Sequence, residues 1–219
     1  ARLAGDSLYP VIVRATALEL LAGYGGEAPA AALERALTDG EALIRRTAAN
    51  HLPASDPRRF VRLLAPLLYD PVKAVRIEAA ARLAGPPSRL LAEDQRRVFE
   101  RTLAEYVAAM EYSGDFVFGR FNLGNLYAAL GRPQEAIDSY KAAIRIDELS
   151  YPAKVNLAML YSGLGRTAEA ETLLREVVQA YPELHDARYS LGLLLAEEKK
   201  YAEAERQLAL AAAGLPDRP

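Results

Sequence analysis

The stretch FNLGNLYAALGRPQEAIDSYKAAIRID, Phe121 to Asp147, decides the reading of this chain. Its landmarks return at a fixed 34-residue step: the Leu-Gly pair at 123 and 124 becomes Leu157 with Ala158, then Leu191 with Gly192. Ala136, Ala170 and Ala204 keep the step, Gly131 leads to Gly165, and Pro182 leads to Pro216. A period of this length signals stacked helical hairpins, each unable to bury its apolar face without its neighbours. Such stacks offer surface rather than chemistry.

The first half repeats as well, at a different step. Val13-Arg14, Ile44-Arg45 and Val75-Arg76 follow one another at a 31-residue step, as do Ala17, Ala48 and Ala79, and Leu21, Leu52 and Leu83. Asp39 and Asp70 each stand six positions before an arginine, and Asp6 stands eight before Arg14. Val13, Ala17, Leu20 and Leu21 form one apolar helical stripe, closed by Gly23, Gly25 and Gly26. Residues 28–37 read as the partner helix. Asp56 is placed to cap the next helix with Pro57 at its first position, Pro66 should shorten that helix, and Pro53 ends the one before it. Phe99, Leu103, Tyr106 and Met110 then predict a long amphipathic helix over 93–112, joining the two repeat arrays into one continuous superhelix.

These patterns resemble two known repeat families. Residues 6–112, with the Asp-x(5)-Arg spacing and alanine-rich helices, resemble about three HEAT repeats. Residues 113–219 resemble three tetratricopeptide (TPR) units, with Leu123, Gly124, Tyr127, Gly131, Ala136, Tyr140 and Ala143 at the positions where the paired helices meet. The third unit has Lys199 where the helix-ending glycine stands in the other two. The fold expected is all-α, a right-handed α-solenoid of antiparallel helix pairs with domains at 1–112 and 113–219. Phrases such as PVIVRATALELL and DPVKAVRIEAA also resemble the C-terminal repeat region of bacterial multihaem c-type cytochromes. That likeness implies an accessory module of a periplasmic redox protein whose haems lie upstream, since no CxxCH occurs here; otherwise the chain reads as cytoplasmic.

The TPR resemblance implies a concave groove lined by the first helix of each unit. Its positions here are Phe118, Phe121, Asn122 and Asn125, then Val155, Asn156, Met159 and Ser162, then Asp186, Tyr189, Ser190 and Leu193. Asn125 and Asn156 match the asparagines with which some family members hold a peptide backbone and terminal carboxylate. The cations of that clamp are missing: Phe121, Asp186 and Ser190 stand in their places, and Asp186 repels a carboxylate. What remains is a mixed apolar and amide groove suited to side-chain anchors of a peptide, or to the upstream part of the same parent protein.

Other patterns read as structural. Arg120, Lys154 and Arg188 form a column at the 34-residue step, best paired with carboxylates such as Asp115 and Asp186. Arg14, Arg45 and Arg76 form a second ladder, expected to pair with Asp39 and Asp70 rather than with phosphates. The clusters Arg58, Arg59, Arg62 and Arg96, Arg97, Arg101 lack interleaved aromatics and read as exposed helix faces. His51 and His185 have no ligand-spaced neighbours, so no metal site is expected. Gly23-Tyr24-Gly25-Gly26 follows no strand and is a turn, not a phosphate cradle.

Composition narrows the function classes. Against 27 basic residues stand 29 acidic ones, which gives no general affinity for nucleic acid or anionic membrane. Cysteine is absent, which excludes disulfides and thiolate chemistry from this stretch. No apolar run approaches the roughly 20 residues that cross a bilayer. The start, Ala-Arg-Leu, has helical patterning at once and reads as an excised domain. A HEAT-fold enzyme of the bilin-lyase or alkylation-repair glycosylase kind needs converging acids and aromatics, whereas Asp39 and Asp70 are claimed by repeat geometry. The function expected is therefore non-catalytic binding of a protein or peptide partner, with no cofactor, no nucleic acid and no membrane insertion.

Overall fold

The computed structural model describes residues 2–24 and 26–214. Among them lie thirteen α-helices and no strand, so the chain is all-α, of the α-solenoid class. Gly25 and Pro216, two of the sequence landmarks, lie outside the described residues. Two compact units are present, Ala1–Ala109 and Met110–Pro219.

The first unit holds α1 (Arg2–Gly5), α2 (Val11–Ala22), α3 (Glu27–Ala36), α4 (Ala42–His51), α5 (Pro57–Leu64) and α6 (Lys73–Leu83). The helix α7 (Glu93–Tyr112) contains the division at 109/110. Asp56 caps α5 as its position suggests, its carboxylate accepting from the backbone N–H groups of Arg58 and Arg59 at 2.9 and 3.2 Å. Pro66 has the effect expected of a ring without an N–H: α5 stops at Leu64 and the chain continues as a 3-10 helix, Ala65–Tyr69. The core of this unit gathers Leu18, Leu33, Ile44, Leu52, Leu64, Leu68, Val75 and Leu83, nearly all removed from solvent.

Alongside that core runs an arginine ladder. Each arginine reaches forward to the acid of the next repeat, Arg14 to Asp39 and Arg45 to both carboxylate oxygens of Asp70 at 2.7 and 3.0 Å. Arg45 also reaches back, its Nη1 donating to the carbonyls of Asp39 and Gly40 at 2.7 and 3.0 Å. Arg76 repeats the backward bonds on Asp70 and Pro71. Its forward partner is Glu105, at 3.2 Å. The aspartates in turn accept backbone N–H groups two positions on, Asp39 from Glu41 and Asp70 from Val72. Burial opposes the charge on Asp70, yet Arg45, the Val72 N–H and Arg76 outweigh it and hold the carboxyl below its ordinary range.

In the second unit the 34-residue period becomes three antiparallel pairs: α8 (Val117–Ala129) with α9 (Pro133–Ile146), α10 (Tyr151–Gly163) with α11 (Thr167–Ala180), and α12 (His185–Glu197) with α13 (Tyr201–Gly214). The second helix of each of the first two pairs also packs on the first helix of the next pair. Close approach within a pair depends on small residues. A Cβ on Gly124 would lie 2.5 Å from the Tyr140 ring, and one on Gly192 would lie 2.7 Å from Leu208. The turns inside the pairs need a left-handed residue, supplied by Gly131 (φ 69°), Gly165 (φ 74°) and, against the usual preference, Lys199 (φ 62°).

Candidate functional site: the inner faces of α8, α10 and α12

Because α8, α10 and α12 are the first helices of successive pairs, positions one 34-residue step apart on them repeat the same place in the stack. The side chains there divide into three groups.

An amide network fastens the helices to one another. Asn156 donates from Nδ2 to Asn125 Oδ1 at 2.8 Å, and the Tyr140 hydroxyl donates to the same oxygen at 2.8 Å. Burial, opposed by the neighbouring Asn156, raises the Tyr140 pKa. The two asparagines therefore use hydrogen-bonding capacity on each other. Asn122 approaches the Met110 sulfur at 3.7 Å.

A second group is shared with the core. Phe121 and Val155 are half-buried and pack against the apolar cluster of the second unit, Phe121 with its ring 6.2 Å from that of Tyr140. Tyr189 is also half-buried. These side chains are given over to packing more than to open surface.

The third group is open. Phe118 is exposed and stacks on Phe116 at 5.9 Å. Met159 and Leu193 are 63% and 44% exposed, high values for side chains of their hydropathy. With Ser162 and Ser190 they line a cleft of about 210 Å³ between α10 and α12, floored by Ala158, Leu174 and Leu194 and edged by Glu197. Four groove positions read from the sequence thus meet in one cavity. Ser190 donates its hydroxyl to the Asp186 carbonyl one turn back, at 2.9 Å. Asp186 itself is exposed at the start of α12.

Tyr140, Ala158, Leu174, Leu194 and Glu197 belong to this site but are not among the groove positions that the sequence implies. Tyr140 and Ala158 stand there among the repeat landmarks, and Glu197 carries no reading. The repeat register holds a signal for the last: Glu197 lies one 34-residue step after Gly163, at the end of the same helix face.

The basic column proves to be stitching, by an unexpected route. Arg120 donates to the Gly114 carbonyl at 2.9 Å rather than pairing with Asp115, and Arg188 donates to the Pro182 carbonyl at 2.8 Å. Gly114 and Pro182 are themselves two repeat steps apart, so both arginines satisfy carbonyls of the loop that precedes their helix. Lys154 instead pairs with Glu176 at 2.6 Å. In the first unit Arg59 pairs with Glu34 at 2.8 Å, while Arg58 and Arg62 border a shallow cleft beside Val61, Leu90 and Gln95. No group of three or more potential metal ligands occurs among the described residues, and none of their helices is long and apolar enough to cross a membrane.

Comparison with known proteins adds the family of the repeats. Two tetratricopeptide-repeat family models match, over residues 127–190 and 91–150. TTC0263, a thermophilic TPR protein of Thermus thermophilus, aligns with a TM-score of 0.58 at 21% identity, over 83% of this chain and 95% of its own. MamA aligns at 0.47 with 13% identity, over 95% and 96% of the two chains. YrrB, described as a TPR protein with an unusual peptide-binding site, aligns at 0.47 with 21% identity, over 86% and 95%. No curated protein matches the sequence. The chain carries tetratricopeptide repeats. The match over 91–150 also begins ahead of the three units read from the sequence. One 34-residue step before Ala136, Tyr140 and Ala143 stand Thr102, Tyr106 and Ala109. The end of α7 thus bears the pattern of a second TPR helix, with Thr102 buried as Ala136 is.

Proposed function

We propose that this chain is a non-catalytic scaffold that holds a peptide segment of a partner protein along the inner faces of α8, α10 and α12. The observation that carries the reading is the cleft between α10 and α12, where Met159, Ser162, Ser190 and Leu193 converge with two large apolar side chains left open to water. Exposed apolar groups rimmed by hydroxyls and an acid are the makeup of a protein contact rather than of a reaction centre. The amide network favours side-chain anchoring over terminal-carboxylate capture, because Asn125 and Asn156 bond to each other. We read the first unit as HEAT-like repeats, supported by the 31-residue arginine ladder, and give it the role of a rigid support.

Peptides selected from a random phage-displayed library against the whole chain test the groove. Met159→Ser combined with Leu193→Ser changes two exposed side chains, so folding is retained. Loss of about tenfold or more in affinity for the selected peptides is the expected result. Full retention of binding by the double variant refutes the groove.

A further inference from the structure

Resting on that groove reading, we propose that its preferred ligand is a peptide with an aliphatic or aromatic anchor next to a lysine or arginine. The anchor sits against Met159 and Leu193, and the cation sits at Glu197. The charge pattern of the site carries this assignment. Glu197 is exposed on the cleft edge and joins no ion pair among the described residues. The acids at 171, 198 and 203 are engaged: Glu171 with Arg175 and Lys200, Glu198 with Lys200, and Glu203 with Arg175.

No lysine or arginine occupies any of the groove positions named on α8, α10 and α12. An anion at the cleft edge would be repelled by Glu197, whereas a cation beside the anchor is attracted as it docks. The Ser162 hydroxyl makes no hydrogen bond among the described residues, which leaves it to the peptide backbone at the same cleft. The apolar floor of Leu174 and Leu194 excludes water beneath the anchor and strengthens the pair at the edge.

The same phage-displayed random library, panned on the whole chain, distinguishes this claim from the one it rests on. Wild type should enrich peptides with a Leu, Ile, Met or Phe adjacent to Lys or Arg. Glu197→Gln should weaken a synthetic copy of such a peptide about two- to fivefold, as an exposed pair does, and Glu197→Lys should turn the enriched companion residue to Asp or Glu. Acidic or neutral companions with wild type, lost on Met159→Ser with Leu193→Ser, overturn the charge assignment while the groove stands. Enrichment indifferent to that double variant, or no enrichment at all, overturns both.

Discussion

Asn156 reaches across from α10 to Asn125 on α8, amide to amide at 2.8 Å, and the buried Tyr140 shares the same acceptor oxygen. The pair that resembles a peptide clamp is thus also a fastening between repeats. Asn125→Ala strands the hydroxyl of Tyr140, and an unsatisfied buried donor costs about 1–3 kcal/mol. Urea denaturation should show that loss in the absence of any ligand. Tyr140→Phe in the same background should recover part of it, because the stranded hydroxyl is gone. Wild-type stability in Asn125→Ala would mean the network holds nothing together.

The three helix pairs solve the same crossing with different partners. Gly124 faces Tyr140, Gly192 faces Leu208, and in the middle pair Ala158 takes the glycine position with Leu174 opposite. Gly124→Ala alone puts a methyl against the ring and should destabilise by about 1–3 kcal/mol. The double change Gly124→Ala with Tyr140→Leu recreates the middle pair and should cost less than the sum of the two single changes. A double-mutant cycle by denaturant titration measures the coupling; strict additivity would contradict the crossing geometry.

Lys199 adopts φ 62° at the turn where Gly131 and Gly165 serve the other two pairs. A side chain in the left-handed region costs on the order of 1 kcal/mol. Lys199→Gly should therefore raise stability by about that amount, and Gly165→Lys should lower it similarly. Thermal melts of the two variants should move in opposite directions.

Arg45 and Asp70 are both nearly withdrawn from solvent, at 12% and 5% side-chain exposure, and bond in two-pronged fashion. Arg45→Ala leaves the Asp70 charge without its main partner and should cost about 3–5 kcal/mol. Arg46→Ala, whose arginine pairs at 53% exposure, should cost at most about 1 kcal/mol. Equal losses in the two variants would remove the ladder from its structural role.

The folded Asp70 carboxyl titrates below its unfolded value of 3.8. Its contribution to stability is therefore complete above the unfolded pKa and disappears as the pH falls through the folded one. Asp70→Asn should be less stable than wild type at neutral pH, with the gap narrowing below about pH 4. A gap that widens on acidification would have the wrong sign for a depressed carboxyl.

What could be read in the chain alone follows from local backbone chemistry and from repetition. Proline at 57 and 66, the cap at Asp56 and the glycines at 131 and 165 act within one turn of their own positions, and the structure places them as that chemistry requires. The 34-residue period needs no contact to be visible, only recurrence of Ala136, Ala170 and Ala204. The TPR pattern at the end of α7 is hard to see in sequence because a short 3-10 turn, Pro86–Leu90, stands where its partner first helix would be. Tertiary structure alone decided the choice among partners. Arg120 took a carbonyl over a nearby carboxylate, Asn156 turned to Asn125, and Glu197 came to the edge of a cleft. These outcomes depend on which rotamer a neighbouring helix leaves free, and that information is spread over positions a full repeat apart. Periodicity therefore dictated the stack, and packing between the repeats assigned each polar side chain to structure or to the open groove.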